Sequence, residues 1–164
     1  MIKFTSYSSL PKAVRPCFGL ITAAYYGLDE VVVFWLLRRQ PDQEALRVTL
    51  LAAFAGGHEA LFQQLLSEID DAISEETCGQ LGELFGEKLG EASHDHSGRN
   101  GCLKILVHSR ADLSEKIRMV EAIAKSAPSG ELKSFLCQLL ASEMADLRPV
   151  HVTGLGWLKA NRWS

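Results

Sequence analysis

The densest set of side chains able to do chemistry is His94-Asp95-His96, with Cys102 and His108 following in sequence. Two imidazoles and a carboxylate could hold zinc or manganese and activate a water for hydrolysis. The spacing opposes that use. Consecutive residues of a helix point in different directions, so only a loop would let the three converge on one ion. No HExxH and no paired CxxC accompanies them. A surface cluster is therefore the expectation, with a metal-dependent enzyme using His94, Asp95 and His96 as the alternative. The four cysteines, Cys17, Cys78, Cys102 and Cys137, are widely spaced and form no motif with histidine or aspartate. They read as reduced thiols serving as small hydrophobes. Gly56-Gly57 is not followed by the Lys-Ser/Thr of a phosphate loop. No catalytic residue and no cofactor is assigned, and the chain is read as a binding protein without chemistry of its own.

The elements that would position these residues are helices. Val31, Val32, Trp35 and Leu36 keep the i, i+1, i+4, i+5 spacing of a buried helix face. Leu61, Phe62, Leu65 and Leu66 repeat it, as do Cys102, Leu103, Leu106 and Val107, and Phe135, Leu136, Leu139 and Leu140. A glycine precedes each stripe: Gly27, Gly56, Gly98 and Gly130. A helix that turns back on itself needs a residue tolerating positive φ, and these four are placed for it. Small residues stand before the glycine, Ala23-Ala24 and Ala52-Ala53 most clearly, which lets two helices approach closely. Aligned on their final apolar pairs, the four units start at Ala23, Ala52, Ser93 and Ser126, giving steps of 29, 41 and 33 residues.

This pattern resembles the ankyrin repeat, whose period is about 33 residues. Ala52-Ala53, Gly57-His58, Leu61 and Leu65-Leu66 match the second half of that repeat, A-A-x-x-G-H-x-x-V-V-x-x-L-L. Arg110-Ala111-Asp112 and Gln40-Pro41-Asp42 stand where the repeat has G-A-D. No unit carries Thr-Pro-Leu-His, and the steps are uneven. The resemblance covers roughly residues 18–145 and implies an all-α solenoid of stacked helix-turn-helix units. An irregular helical bundle or a HEAT-like stack is the other architecture that fits.

Around this region lie an N-terminal segment (1–17), read as a frayed start, and a C-terminal cap or tail (146–164) with Gly154, Gly156, Trp157 and Trp163. An acidic stretch at 67–91 holds eight carboxylates against one lysine, a net of −7, and is read as a solvated helical insertion. The whole chain carries −3, which argues against generic nucleic-acid binding. Its most apolar run, Val31–Leu37, is too short to span a bilayer. A cytoplasmic location is expected, or delivery into a host cell without a Sec signal, since residues 1–12 lack a continuous apolar core.

The resemblance implies a protein–protein interaction module, of the kind used by effectors or regulators that inhibit a target. Proteins of this type contact partners on the concave face, at the variable pair between Ala-Ala and Gly. Those positions give Tyr25, Tyr26, Phe54, Asp95 and His96 as candidate partner-binding residues, aromatics being strong anchors. Metal analysis of the purified protein separates this reading from the enzyme. It is expected to find no stoichiometric zinc or manganese, whereas stoichiometric metal lost in His94→Ala would establish a metal site.

Overall fold

Alanine and leucine favour helix, so in this chain glycine, proline and aspartate decide where helices begin and end. The computed structural model describes residues 3–69, 73–85, 97–110, 112–126 and 130–145. Among these residues there are eight α-helices and no strand: α1 (Phe18–Tyr25), α2 (Asp29–Arg39), α3 (Gln43–Gly56), α4 (Glu59–Glu68), α5 (Glu75–Phe85), α6 (Ser97–His108), α7 (Leu113–Lys125) and α8 (Gly130–Ala145). Two 3-10 turns, Tyr7–Ser9 and Lys12–Cys17, precede them. The all-α class is thus the observed one. The chain forms two compact units, Met1–Ala72 with Lys88–Leu103, and Ile73–Glu87 with Lys104–Ser164.

In the first unit α1 packs against α3, α2 against α1, and α4 against α3. Ala23, Ala24, Ala52 and Ala53 are all buried, which is how α1 and α3 come close together. Both hairpins turn through the same hydrogen bonds. Gly27 N–H donates to the Ala24 carbonyl and Leu28 N–H to Ala23; Gly57 N–H donates to Phe54 and His58 N–H to Ala53. This is the Schellman cap, and it needs a left-handed residue at the turn. Gly27 has φ +72° and Gly57 +74°. The equivalent glycines are therefore thirty residues apart, and the repeat slips by one from the 29-residue step: Gly56 is the last residue of α3, and Gly57 makes the turn. Gly98 and Gly130 do not turn hairpins either, since each stands at the start of a helix. Gly98 is small for another reason. A methyl there would overlap the Gly57 carbonyl.

Next to that contact lies Arg99, only 2% exposed. Its Nη2 and Nε donate to the Ala55 carbonyl in the last turn of α3, at 2.8 and 3.2 Å. His58 does the same for α1, its Nε2 lying 3.0 Å from the Tyr25 carbonyl. A carbonyl only accepts, so the proton sits on Nε2. From residue 3 onward the N-terminal segment is packed rather than frayed. Phe4, Leu10 and Val14 are buried, Thr22 Oγ1 donates to the Phe4 carbonyl, and the Lys12–Cys17 turn packs on α1 and α3.

In the second unit α5 packs against α7, and α7 against α8. Within the acidic stretch, Glu75–Phe85 is helical as expected, but it is packed on α7 rather than solvated all round; residues 70–72 and 86–91 lie outside the described residues. Helix α5 exposes Glu75, Glu76 and Glu83 but buries Cys78, Leu81, Leu84 and Phe85. Helix α7 buries Met119, Val120 and Ile123, and α8 buries Leu136, Leu140 and Met144. Asp112 caps α7 as Asp42 caps α3, each carboxylate accepting a backbone N–H of the first turn. The C-terminal cap or tail lies outside the described residues.

Gly98→Ala is expected to cost about 1–3 kcal/mol, because the added methyl must displace backbone rather than a flexible side chain. Gly130→Ala meets nothing within 4 Å and is expected to leave stability unchanged or slightly raised. Urea unfolding of the two variants checks the contrast.

Candidate functional site

Helix α2 is stabilised at both ends by charge. Asp29 and Glu30 occupy its first turn, Arg38 and Arg39 its last, which suits the helix dipole. It closes on Gln40, a non-glycine residue at φ 44°, with Pro41 preventing continuation. Between the ends are seven consecutive apolar residues, Val31–Leu37, and only Val32 is fully buried. Val31 is 42% exposed, Phe34 58% and Leu37 74%; Leu28, just before the helix, is 51% exposed. The Arg38 guanidinium lies 5.8 Å from the Phe34 ring centroid and that of Arg39 5.5 Å from Trp35, partly covering the face.

The second hairpin shows what such a face looks like when it is merely solvated. At the thirty-residue offset, Val32 corresponds to Phe62 and Trp35 to Leu65, which hold α4 on α3 and are buried. Phe34 corresponds to Gln64 and Leu37 to Ser67, both exposed and polar. The same structural positions thus carry polar residues in one hairpin and large apolar ones in the other. Exposing Phe or Leu forgoes about 1.5–3 kcal/mol each relative to burial, so α2 gains nothing in stability from its outer face.

Of the residues singled out from sequence, Tyr26 lies exposed at the turn leading into α2, its ring edge-on to Tyr25 at 5.3 Å. Tyr25 is half-buried and stacks on Phe4 at 6.0 Å. Phe54 is entirely buried, 6.1 Å from Phe62 between ring centroids, so it offers no surface to a partner and its expected role as an anchor is corrected to that of a core residue. Asp95 and His96, with His94, lie outside the described residues. Sequence reading missed the face of α2 because it took Val31, Val32, Trp35 and Leu36 for a buried stripe. An unbroken apolar run was the signal available: one neighbouring helix cannot cover every side of it.

Polar groups line two of the clefts among the described residues. In the first unit a space of about 560 Å³ is lined by Gly27, Asp29, Gly57, His58, Glu59 and Gly98. Its imidazole is already bonded through Nε2 to the Tyr25 carbonyl, and it holds α1 in place. In the second unit a cleft of about 460 Å³ adjoins Lys104, His108, Phe135 and Glu143. Lys116 Nζ donates to Glu143 Oε2 at 2.6 Å, and His108 Nδ1 lies 3.2 Å from Oε1. Burial pushes the Glu143 carboxyl up, but the Lys116 hydrogen bond and charge, with His108 adding to them, outweigh it and hold the group below its ordinary value. Both carboxylate oxygens are engaged, and the arrangement ties α7 to α8.

Burial pushes the thiols of Cys78 and Cys102 up to about 12, so both stay protonated at neutral pH and are poor nucleophiles. Among the described residues no three His, Cys, Asp or Glu side chains group as a metal site, and no helix is long and apolar enough to cross a membrane. Compared with protein-family models, with curated proteins and with solved structures, the chain shows no match.

Lys116→Met is expected to cost about 1–3 kcal/mol at neutral pH by leaving a buried carboxylate short of a donor. Because the folded pKa of Glu143 is lowered, its contribution is full above the unfolded value of about 4.3 and is lost as pH falls through the folded value. Chemical denaturation should therefore show the gap between wild type and variant closing between neutral pH and strong acid.

Proposed function

We propose that this chain is a protein-interaction module that docks a partner on the outer face of α2, with Tyr26 beside it. The observation that carries the reading is the exposure of Phe34 and Leu37 at positions where the equivalent helix of the next hairpin has Gln64 and Ser67. Phe34 and Leu37 supply the apolar centre that an interface needs, and Glu30 and Arg38 supply a charged rim. A helix presenting residues at i, i+3 and i+6 suits docking into a groove or against another helix.

The reading keeps part of the ankyrin-like expectation and moves its centre. Support for a repeat of that kind comes from the shared glycine cap, the thirty-residue offset, and the aspartates that open α3 and α7. The partner surface, however, is placed mainly on the second helix of the first hairpin rather than on the variable pair before the glycine.

Phe34→Asp with Leu37→Asp is expected to reduce retention of a partner on the immobilised chain by about a hundredfold, the scale of two interface anchors. Gln64→Asp with Ser67→Asp, on the equivalent face of α4, is expected to leave it unaltered. Quantitative mass spectrometry of the retained proteins, with circular dichroism to confirm folding, checks both. Equal retention by the folded Phe34/Leu37 variant would place the binding surface elsewhere.

A further inference from the structure

The charge order along α2 narrows the choice of partner. At about 100° per residue, Glu30 and Arg38 lie about 40° to either side of Phe34, and Val31 and Leu37 about 60° to either side. Val32, the buried residue, points about 160° away. The outward face is therefore Glu30, Val31, Phe34, Leu37 and Arg38, and its chemistry is ordered about its centre. Acid lies on the N-terminal side, base on the C-terminal side, and apolar residues stand between them. Among the described residues no ion pair engages Asp29, Glu30, Arg38 or Arg39.

Resting on the docking reading above, we propose that the occupant of this face is a second copy of this chain, paired antiparallel about a two-fold axis passing beside Phe34. In such a pairing each residue meets the one equally far on the other side of the centre. Phe34 meets Phe34, Val31 lies level with Leu37, and Glu30 lies level with Arg38. Apolar groups meet apolar groups and each acid meets a base, which is the self-complementarity a two-fold interface requires. A parallel pairing would set Glu30 against Glu30 and Arg38 against Arg38, and like charges in register repel. In the single chain Arg38 rests over Phe34. In the pair it swings off the ring toward Glu30 of the other copy, and the ring becomes free to be covered. An eleven-residue helix is only about 16 Å long, so the interface is small and the dimer reversible, with dissociation in roughly the micromolar range.

Sedimentation velocity of the full chain from about 1 µM to about 300 µM tests this. The wild type is expected to pass from monomer to dimer with concentration. Glu30→Arg alone and Arg38→Glu alone each place like charges level across the axis and are expected to weaken association at least tenfold. An equimolar mixture of these two variants restores opposite charges at both ends and is expected to recover the dimer, which also shows that each is folded. A wild type that stays monomeric, or a mixture no better than its components, overturns the second-copy inference. If the chain is monomeric yet Phe34→Asp with Leu37→Asp still loses a retained partner, the inference falls and the docking reading stands. If the wild type dimerises and that Phe34/Leu37 variant dimerises equally, the self-pairing is not through α2 and the inference falls as well.

Discussion

A helix ends with carbonyls that have no partner inside it, and in the first unit the fold is organised around who supplies one. The Tyr25 carbonyl at the end of α1 is taken by His58, and the Ala55 carbonyl at the end of α3 by Arg99. These two carbonyls are thirty residues apart, the same offset as the two cap glycines. Each inner helix is thus finished by a side chain from a later segment, and that side chain needs a glycine beside it. An added methyl at Gly27 would meet the His58 ring, and one at Gly98 the Gly57 backbone. Arg99 is the stronger device. A guanidinium stays charged when enclosed, so it brings a full positive charge to the negative end of α3.

With the inner helices fixed in this way, the outer ones are free to differ. Helix α4 needs only Leu61, Phe62 and Leu65 to hold it on α3, and its other face is polar. Helix α2 buries Val32 on the inside and can carry almost anything on the outside without loss of fold. That freedom separates scaffold from surface residue by residue. In the second unit the equivalent work falls to the buried Lys116–Glu143 pair, which joins α7 to α8 through two charges rather than through a capped helix end.

Much of this was legible in the amino-acid sequence. Helical class, the hairpin turns near Gly27 and Gly56-Gly57, and the close approach of Ala23-Ala24 to α3 follow from residue type and spacing. The aspartates of Gln40-Pro41-Asp42 and Arg110-Ala111-Asp112 proved to be helix caps, which gives a physical reason for their place in each unit. What was not legible has equally physical causes. A glycine doublet offers two candidate turn residues, and aligning Leu36-Leu37 with Leu65-Leu66 chose the wrong one, because Leu37 is a surface residue. A run of seven apolar residues has no period, so nothing in it says which side is covered. Eight carboxylates dominated the reading of 67–91 and hid the apolar spacing of Cys78, Leu81 and Phe85. Phe54 stood at a variable position of the pattern, yet a site between two helices leaves a ring nowhere to go but inward.

The bond from Arg99 to Ala55 also sets an order of events when the chain is made. It spans 44 residues, far more than the hairpin turns. At about 5–20 residues per second, a ribosome needs roughly 2–9 s after adding Ala55 to reach Arg99. During that interval α1 to α4, whose mutual contacts all lie within residues 18–68, have their partners available, while the Ala55 carbonyl lacks the donor that Arg99 brings. The arriving arginine then closes the first unit from behind, so a chain stalled before residue 99 would hold four helices with an open seam.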